Sequence, residues 1–453
     1  METSQPHPFT VTSFPNDASL HRTTTGALLL SREFAIYCSV PAEEVDCVQR
    51  VLEGKFAVEN LSNSLQQALQ AHGFGGAPRP AAPLMPSVQL QLTNGCNLRC
   101  SYCCTDSGDA RTGEVTLAEL EQAVREARAV LGPSTHFGIL GGEPFLVPWA
   151  PDLAAYILEQ GSSLTLFSNG VPLTHPPLCE RVAALVRGGA ELRISLAGAT
   201  AAFCDDLSGA ARFERALAAV NRLAEHGAMP HVDVMVLPEH VEQLAEHLPR
   251  LRKRLPPGTP LAFGILYSSG REHGEHVFKS RRELEQAFDH IVFEAGETIR
   301  KTPRRPQTFR REGCSCALGH HLHVRSDGQL YGCFKMDEVV GNLRTQSFAD
   351  VAKIAAERAR PASSLSVCAN CSLNTLCGGG CRSDNLLHTG NPDEPACGDW
   401  RKQLCYELLA EDMPDALEWP TAHLLAEAKE RGLLVEEGGL TSVCEGSSEG
   451  QRG

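Results

Sequence analysis

From Ser87 the chain repeats one pattern six times: a short apolar or β-branched run, then a segment of helix length. The runs occupy residues 88–92, 137–140, 164–167, 192–196, 232–236 and 261–266. Strands that alternate with helices this regularly predict a parallel sheet, because each connection must cross back over the sheet before the next strand begins. The expected fold class is therefore α/β, a partial (β/α)6 TIM-type barrel, open or partly closed, with its chemistry where the strands end. The first helix shows the grammar. Thr116 and Glu119 form a T-x-x-E capping box ahead of an apolar stripe of Leu117, Leu120, Val124, Ala127 and Leu131.

Composition breaks set the flanking units. A Gly/Pro/Ala stretch at residues 73–86 reads as a linker. Before it, two strand-like runs (25–31 and 33–40) and two helical patterns (42–52 and 61–72) predict a small α+β module, within the size that folds alone. After the barrel come a helical segment at 280–301, a Pro- and Arg-rich link at 302–311, and a cysteine-rich region sparse in regular structure that ends near Cys405. An amphipathic helix at 421–431 and a Gly/Ser/Glu tail follow. The division expected is a front module at 1–75, a linker at 76–87, the barrel at 88–301, the cysteine-rich domain at 302–405 and a C-terminal helix and tail at 406–453.

A formal charge of −14 and the absence of basic clusters with interleaved aromatics exclude a nucleic-acid surface, since phosphate binding rests on Lys and Arg. No run is long enough to span a membrane, and residues 1–10 lack signal architecture, so the expectation is a soluble cytoplasmic chain. Eighteen cysteines in a reducing compartment point to metal ligation rather than disulfides.

Cys96, Cys100 and Cys103 form C-x3-C-x2-C in the loop after the first barrel strand. Three thiolates on one loop suit a [4Fe-4S] cluster whose fourth iron stays open to a chelating cosubstrate; a zinc site is the alternative for the triplet alone. The motif and its strand context resemble the radical SAM superfamily, whose members cleave S-adenosylmethionine (SAM). That resemblance implies that Tyr102 lies against the SAM adenine, and that Gly141, Gly142, Glu143 and Pro144, matching the G-G-E-P motif, hold the SAM amino group. It further implies that Ser168 and Asn169 approach the ribose and carboxylate, and that Ser195 makes a polar ribose contact. Two departures stand out: Ala197 replaces an Asp common in relatives, and no Arg occupies residues 205–209, where a SAM-carboxylate partner is usual.

Farther along, Cys316 and Cys333 precede Cys368-x2-Cys371-x5-Cys377-x3-Cys381, with Cys397 after a gap. Zinc ribbons also use C-x2-C pairs. The whole block resembles the seven-cysteine SPASM extension of radical SAM enzymes, which implies two auxiliary [4Fe-4S] clusters and three in all. By that resemblance the nearer takes Cys316, Cys333 and Cys381 with Cys314 as fourth ligand, or keeps an open iron. The farther takes Cys368, Cys371, Cys377 and Cys397. Cys38, Cys47, Cys104, Cys179, Cys204, Cys405 and Cys444 read mostly as buried small hydrophobes, and His320, His321 and His323 as solvent-facing or core positions.

A SPASM extension implies a peptide or protein substrate and an external electron donor of flavodoxin or ferredoxin type. The front module resembles a winged-helix-type domain that binds leader peptides, with an edge strand open to β-augmentation; a helper domain covering the barrel is the alternative. The expected function is oxidative modification, by crosslinking or a similar change, of a ribosomally made precursor peptide. Sulfatase maturases place Asp directly after the cysteine matching Cys333, where this chain has Phe334. Action on a small molecule and a non-catalytic peptide-binding metal module remain as rivals. Asp337 and Asp399 are candidate proton acceptors, since oxidative bond formation sheds a proton.

Overall fold

The computed structural model describes residues 11–79, 86–266, 270–272, 276–295, 321–333 and 335–433. The front module contains β1 (Ser19–Thr23), β2 (Gly26–Ser31) and β3 (Ile36–Pro41), followed by α1 (Val45–Leu52) and α2 (Asn63–Ala71). Its sheet is antiparallel in the order β1-β2-β3, one strand more than expected. The added strand reads Ser-Leu-His-Arg-Thr and carries almost no apolar pattern; it is recruited by pairing with β2.

All six barrel strands form. They are β4 (Ser87–Gln91), β5 (His136–Leu140), β6 (Leu164–Ser168), β7 (Glu191–Ala197), β8 (His231–Met235) and β9 (Leu261–Gly264). Between and after them run α3 (Leu117–Leu131), α4 (Ala150–Glu159), α5 (Pro176–Arg187), α6 (Ala201–Ser208), α7 (Phe213–Glu225), α8 (Val241–Arg254) and α9 (Arg281–Ala295). The capping box at Thr116 and Glu119 is complete in both directions. Rows such as Leu90, Ile139, Leu166 and Leu192 lie side by side in parallel register and are buried, the packing expected of a sheet covered by helices.

The cysteine-rich region holds more regular structure than its sequence suggests. It contributes β10 (His321–Val324), β11 (Gln329–Tyr331) and β12 (Val339–Asn342), then α10 (Phe348–Arg358), α11 (Asn374–Cys377), α12 (Arg382–Thr389), α13 (Asp399–Ala410) and α14 (Thr421–Glu430). These three strands extend the barrel sheet into one of nine, ordered β12-β11-β10-β4-β5-β6-β7-β8-β9. β10 pairs parallel with β4, so the C-terminal region is fastened beside the strand that leads into the Cys96 loop. Arg344 strengthens the join by ion-pairing with Glu119 of the capping box at 2.6 Å. The Gly/Ser/Glu tail and the link at 302–311 lie outside the described residues.

The front module does not stand apart from this body. Leu28, Leu29 and Leu30 are all fully buried because β2 is covered on both faces. Leu29 packs with Ile36, Val48 and Leu69 inside the module, whereas Leu28 and Leu30 pack with Leu373, Leu376, Tyr406 and Leu409. Buried Glu407 of α13 bonds back to the module, accepting from Thr24 N at 3.0 and 2.9 Å and from Thr24 Oγ1 at 2.7 Å. Glu407→Ala strands those donors and is expected to cost about 1–3 kcal/mol of stability, read by denaturant unfolding.

Candidate active site

The Cys96–Cys103 loop leaves the C-terminal end of β4, where a parallel barrel presents its chemistry. Backbone bonds shape it: Cys96 N donates to Gly108 O (2.7 Å), Arg99 N to Ser208 O (3.0 Å) and Ser101 N to Leu207 O (2.9 Å). Glu114 clamps its start, accepting from Thr93 Oγ1 and Asn94 N, both at 2.6 Å. Arg271 clamps its end, donating from Nε to Cys100 O at 2.9 Å and from Nη1 to Ser107 O at 2.9 Å. Two sulfurs receive backbone N–H groups, Cys96 Sγ from Leu98 and Cys103 Sγ from Ser107, the kind of donor that tunes a cluster sulfur. Cys96 interacts electrostatically with both Cys100 and Cys103, and burial pushes its thiol up to about 11. Thiolates there therefore need a cation, as metal ligation supplies.

The second strand end closes on this loop. Gly142 N donates to Thr93 O at 2.8 Å and Glu143 N to Gly95 O at 2.9 Å. Glu143 is fully buried; burial raises its carboxyl to about 7, against the pull of hydrogen bonds from Asn169 N, Ser168 Oγ and Phe145 N. Ser168 and Asn169 thus meet Glu143 (2.9 and 2.7 Å), and Asn169 Nδ2 also reaches Asn97 Oδ1 at 2.8 Å. Pro144 opens a short 3-10 turn after Glu143. Half-buried Tyr102 packs on the barrel core with its hydroxyl toward Cys100, whose thiol burial raises. Ser195 offers its carbonyl to Arg212 Nη1 at 2.5 Å. Ala197 takes φ 66° at a bulge, a left-handed setting that the Asp of relatives tolerates better than Ala does.

In the C-terminal region the thiols fall into two groups. Cys368, Cys371, Cys377 and Cys397 interact electrostatically, and Cys333 interacts with Cys381. Gly378, Gly379 and Gly380 all have positive φ (68°, 80° and 74°), so the chain turns sharply between Cys377 and Cys381 and passes from one group to the other. Buried Arg401 sets a positive charge beside Cys377 and Cys397. Cys405 also interacts with Cys371, Cys377 and Cys397, but it is buried in the apolar contact with the front module. Cys314, Cys316, His320, Phe334 and Cys444 lie outside the described residues. None of the fifteen described cysteines is joined in a disulfide, and among the described residues no three His, Cys, Asp or Glu side chains converge on a point fit for a single metal ion.

His323 is a core residue, its imidazole held down to about 4 by burial, and His321 pairs with Ser87. Asp337 and Asp399 are exposed and bonded to Arg325 (2.8 Å) and Lys402 (3.3 Å), a surface setting that suits ion pairs better than proton uptake at the barrel mouth. Arg212, Glu114 and Arg271 belong to no motif. Only the fold brings them to the cysteine loop.

The Radical SAM superfamily model matches residues 90–248, and the SPASM model, an iron-sulfur cluster-binding domain, matches residues 314–372. The chain carries a radical SAM domain followed by a SPASM domain. Its cofactors are iron-sulfur clusters and SAM. It is 27% identical over 326 residues to the mycofactocin maturase MftC of Mycobacterium tuberculosis, covering 68% of this chain and 81% of that protein. The PqqA peptide cyclase of Xanthomonas oryzae is 24% identical over 70% of this chain and 88% of its own. The AdoMet-dependent heme synthase of Methanosarcina barkeri is 24% identical over 68% and 95%. Among solved structures, Streptococcus suis SuiB bound to S-adenosylmethionine superposes with a TM-score of 0.51 at 15% identity, covering 84% of this chain and 98% of that one. At that identity the likeness concerns the fold. No helix among the described residues is long and apolar enough to cross a membrane.

Proposed function

We propose that this radical SAM enzyme oxidatively modifies a ribosomally made precursor peptide, most simply by crosslinking it. The observation that carries the reading is the meeting of the Cys96–Cys103 loop and Glu143 at the ends of β4 and β5, in a chain whose relatives include a mycofactocin maturase and a PqqA peptide cyclase. SuiB, of similar fold, is known bound to a precursor peptide, SuiA. When bound, the first cluster supplies the electron that splits SAM into methionine and a 5′-deoxyadenosyl radical able to take hydrogen from a peptide carbon.

Cys96, Cys100 and Cys103 are assigned to that cluster, and Glu143, with Gly141 and Gly142 giving room, to the SAM ammonium. Ser168, Asn169 and Tyr102 line the same mouth. The farther auxiliary cluster is assigned to Cys368, Cys371, Cys377 and Cys397, whose thiols interact, and the nearer to Cys333 and Cys381 with Cys316 and Cys314. The front module is assigned to leader binding through a strand edge of its three-stranded sheet. An external flavodoxin- or ferredoxin-type donor supplies electrons.

The test is anaerobic reconstitution with iron and sulfide, followed by SAM and the product of a short reading frame beside the gene. About twelve irons per chain, 5′-deoxyadenosine, and a peptide lighter by two hydrogens in the mass spectrum are expected. Zinc in place of iron, or no SAM cleavage, overturns the reading; cleavage with an unaltered peptide and an altered small molecule favours the heme-synthase-like alternative.

A further inference from the structure

Arg212 stands at the corner between α6 and α7, and Asp205 fixes that corner by accepting from Arg212 N at 2.8 Å and Phe213 N at 2.9 Å. Its side chain runs inward and is 1% exposed. One guanidinium nitrogen, Nη1, is spent on the Ser195 carbonyl. The other two, Nε and Nη2, are buried with no partner among the described residues. A buried donor without an acceptor, on a charged group, is costly enough to need a reason.

The two free nitrogens lie on one edge of the guanidinium, and this edge grips a carboxylate with two parallel bonds. The chain itself gives an example: Arg193 holds Asp233 by Nε (3.0 Å) and Nη2 (2.7 Å). Among the described residues no such carboxylate meets Arg212. Glu143, close enough to feel its charge, makes no bond to it; Ser168, Asn169 and Phe145 take three of the acceptor sites of its carboxylate and leave one on Oε2 open to an ammonium. Cys100 and Tyr102 feel the same charge, so the guanidinium lies within electrostatic range of the cysteine loop and of Glu143. A buried acid and a buried guanidinium within electrostatic range of each other match an amino-acid zwitterion, ammonium to one and carboxylate to the other.

We propose that Arg212 grips the carboxylate of SAM in this chain, taking over a contact that relatives make from the segment corresponding to residues 205–209. Here that segment reads Asp-Asp-Leu-Ser-Gly, and its Ser208 hydroxyl turns back to Cys204 O at 2.5 Å. The inference rests on the SAM reading above and adds the residue that reads the carboxylate. Asp205 is its positioning residue.

The test measures anaerobic equilibrium binding of SAM and of decarboxylated SAM to the reconstituted full chain, alongside iron content. Arg212→Gln should weaken SAM by about tenfold to a hundredfold, as loss of a charge-assisted pair predicts, and leave decarboxylated SAM within about twofold of wild type. Equal weakening of both ligands, or unchanged SAM affinity, overturns the assignment. Arg212→Lys keeps the charge but not the fork; it should retain iron yet bind SAM several-fold more weakly, and full affinity in that variant also overturns it. Loss of iron in both variants would assign Arg212 to the thiols instead of to SAM. A wild-type chain that holds iron yet binds no SAM would sink the proposed function itself, a separate result.

Discussion

Cys100→Ala is expected to abolish 5′-deoxyadenosine formation and to lower iron by about four atoms per chain. The loss should be chemical, not structural. The backbone bonds that shape the loop, Arg99 N to Ser208 O, Ser101 N to Leu207 O and Arg271 Nε to Cys100 O, do not use the sulfur. The variant should therefore fold, with a stability change of about 1 kcal/mol or less. Cys179→Ala is the matched control: that thiol is fully buried in α5 against the barrel core, so its removal leaves a small cavity and should spare the iron. Iron analysis and SAM turnover on the two variants separate ligation from packing. Wild-type SAM cleavage by Cys100→Ala would refute the cluster assignment, and iron loss in Cys179→Ala would remove the contrast on which it depends.

The barrel was legible in the sequence because each of its strands is an apolar run bounded by turns, a pattern that a helix-covered parallel sheet imposes on nearly every residue. The strands missed are those whose formation depends on a neighbour. β1 is mostly polar, and β10 to β12 are three or four residues long; alone they have little reason to be extended, and they become strands by pairing, β1 with β2, β10 with β4, and β11 and β12 each with the strand before it. The Leu28-Leu29-Leu30 run predicts a strand but not that both faces are covered, one by α1 and α2 and the other by α11 and α13. That docking couples the front module to the cysteine-rich region, so a module of foldable size shares its core.

The site divides in the same way. Cysteine spacing and the Gly-Gly-Glu-Pro run are local, and a reader of the chain finds them. Arg212 lies three residues past the window where the family resemblance leads one to look for an arginine, and nothing local marks it as inward-facing. Glu114 acts on Thr93 and Asn94, about twenty residues away, through a loop whose path only the fold defines. Asp337 and Asp399 illustrate the converse: an acid near a cysteine in sequence is easily nominated, but burial decides its chemistry, and both are exposed.

Gly142→Ala is expected to cost SAM affinity about a hundredfold or more, an effect out of proportion to one methyl group. A Cβ at Gly142 would stand 2.2 Å from Gly95 O, 2.6 Å from Gly95 C and 2.7 Å from Asn94 O, all backbone atoms of the cysteine loop. Neither side yields easily, since Gly142 N is bonded to Thr93 O and Glu143 N to Gly95 O, while Glu114 holds Thr93 and Asn94 from behind. The added carbon must push the loop and the turn apart, and the same step carries Glu143 away from the cysteines. Displacement of about 1 Å in a positioned group costs on this scale in binding and catalysis together, and overpacking adds about 1–3 kcal/mol of instability. Gly141→Ala makes the comparison, because its nearest obstacle is Thr93 O at 3.1 Å, which a few tenths of an ångström relieve. SAM binding and denaturant unfolding should rank wild type, Gly141→Ala and Gly142→Ala in descending order. Equal affinity in the two variants would mean that the loop and the turn are not locked together, and that Glu143 owes its position to Ser168 and Asn169 alone.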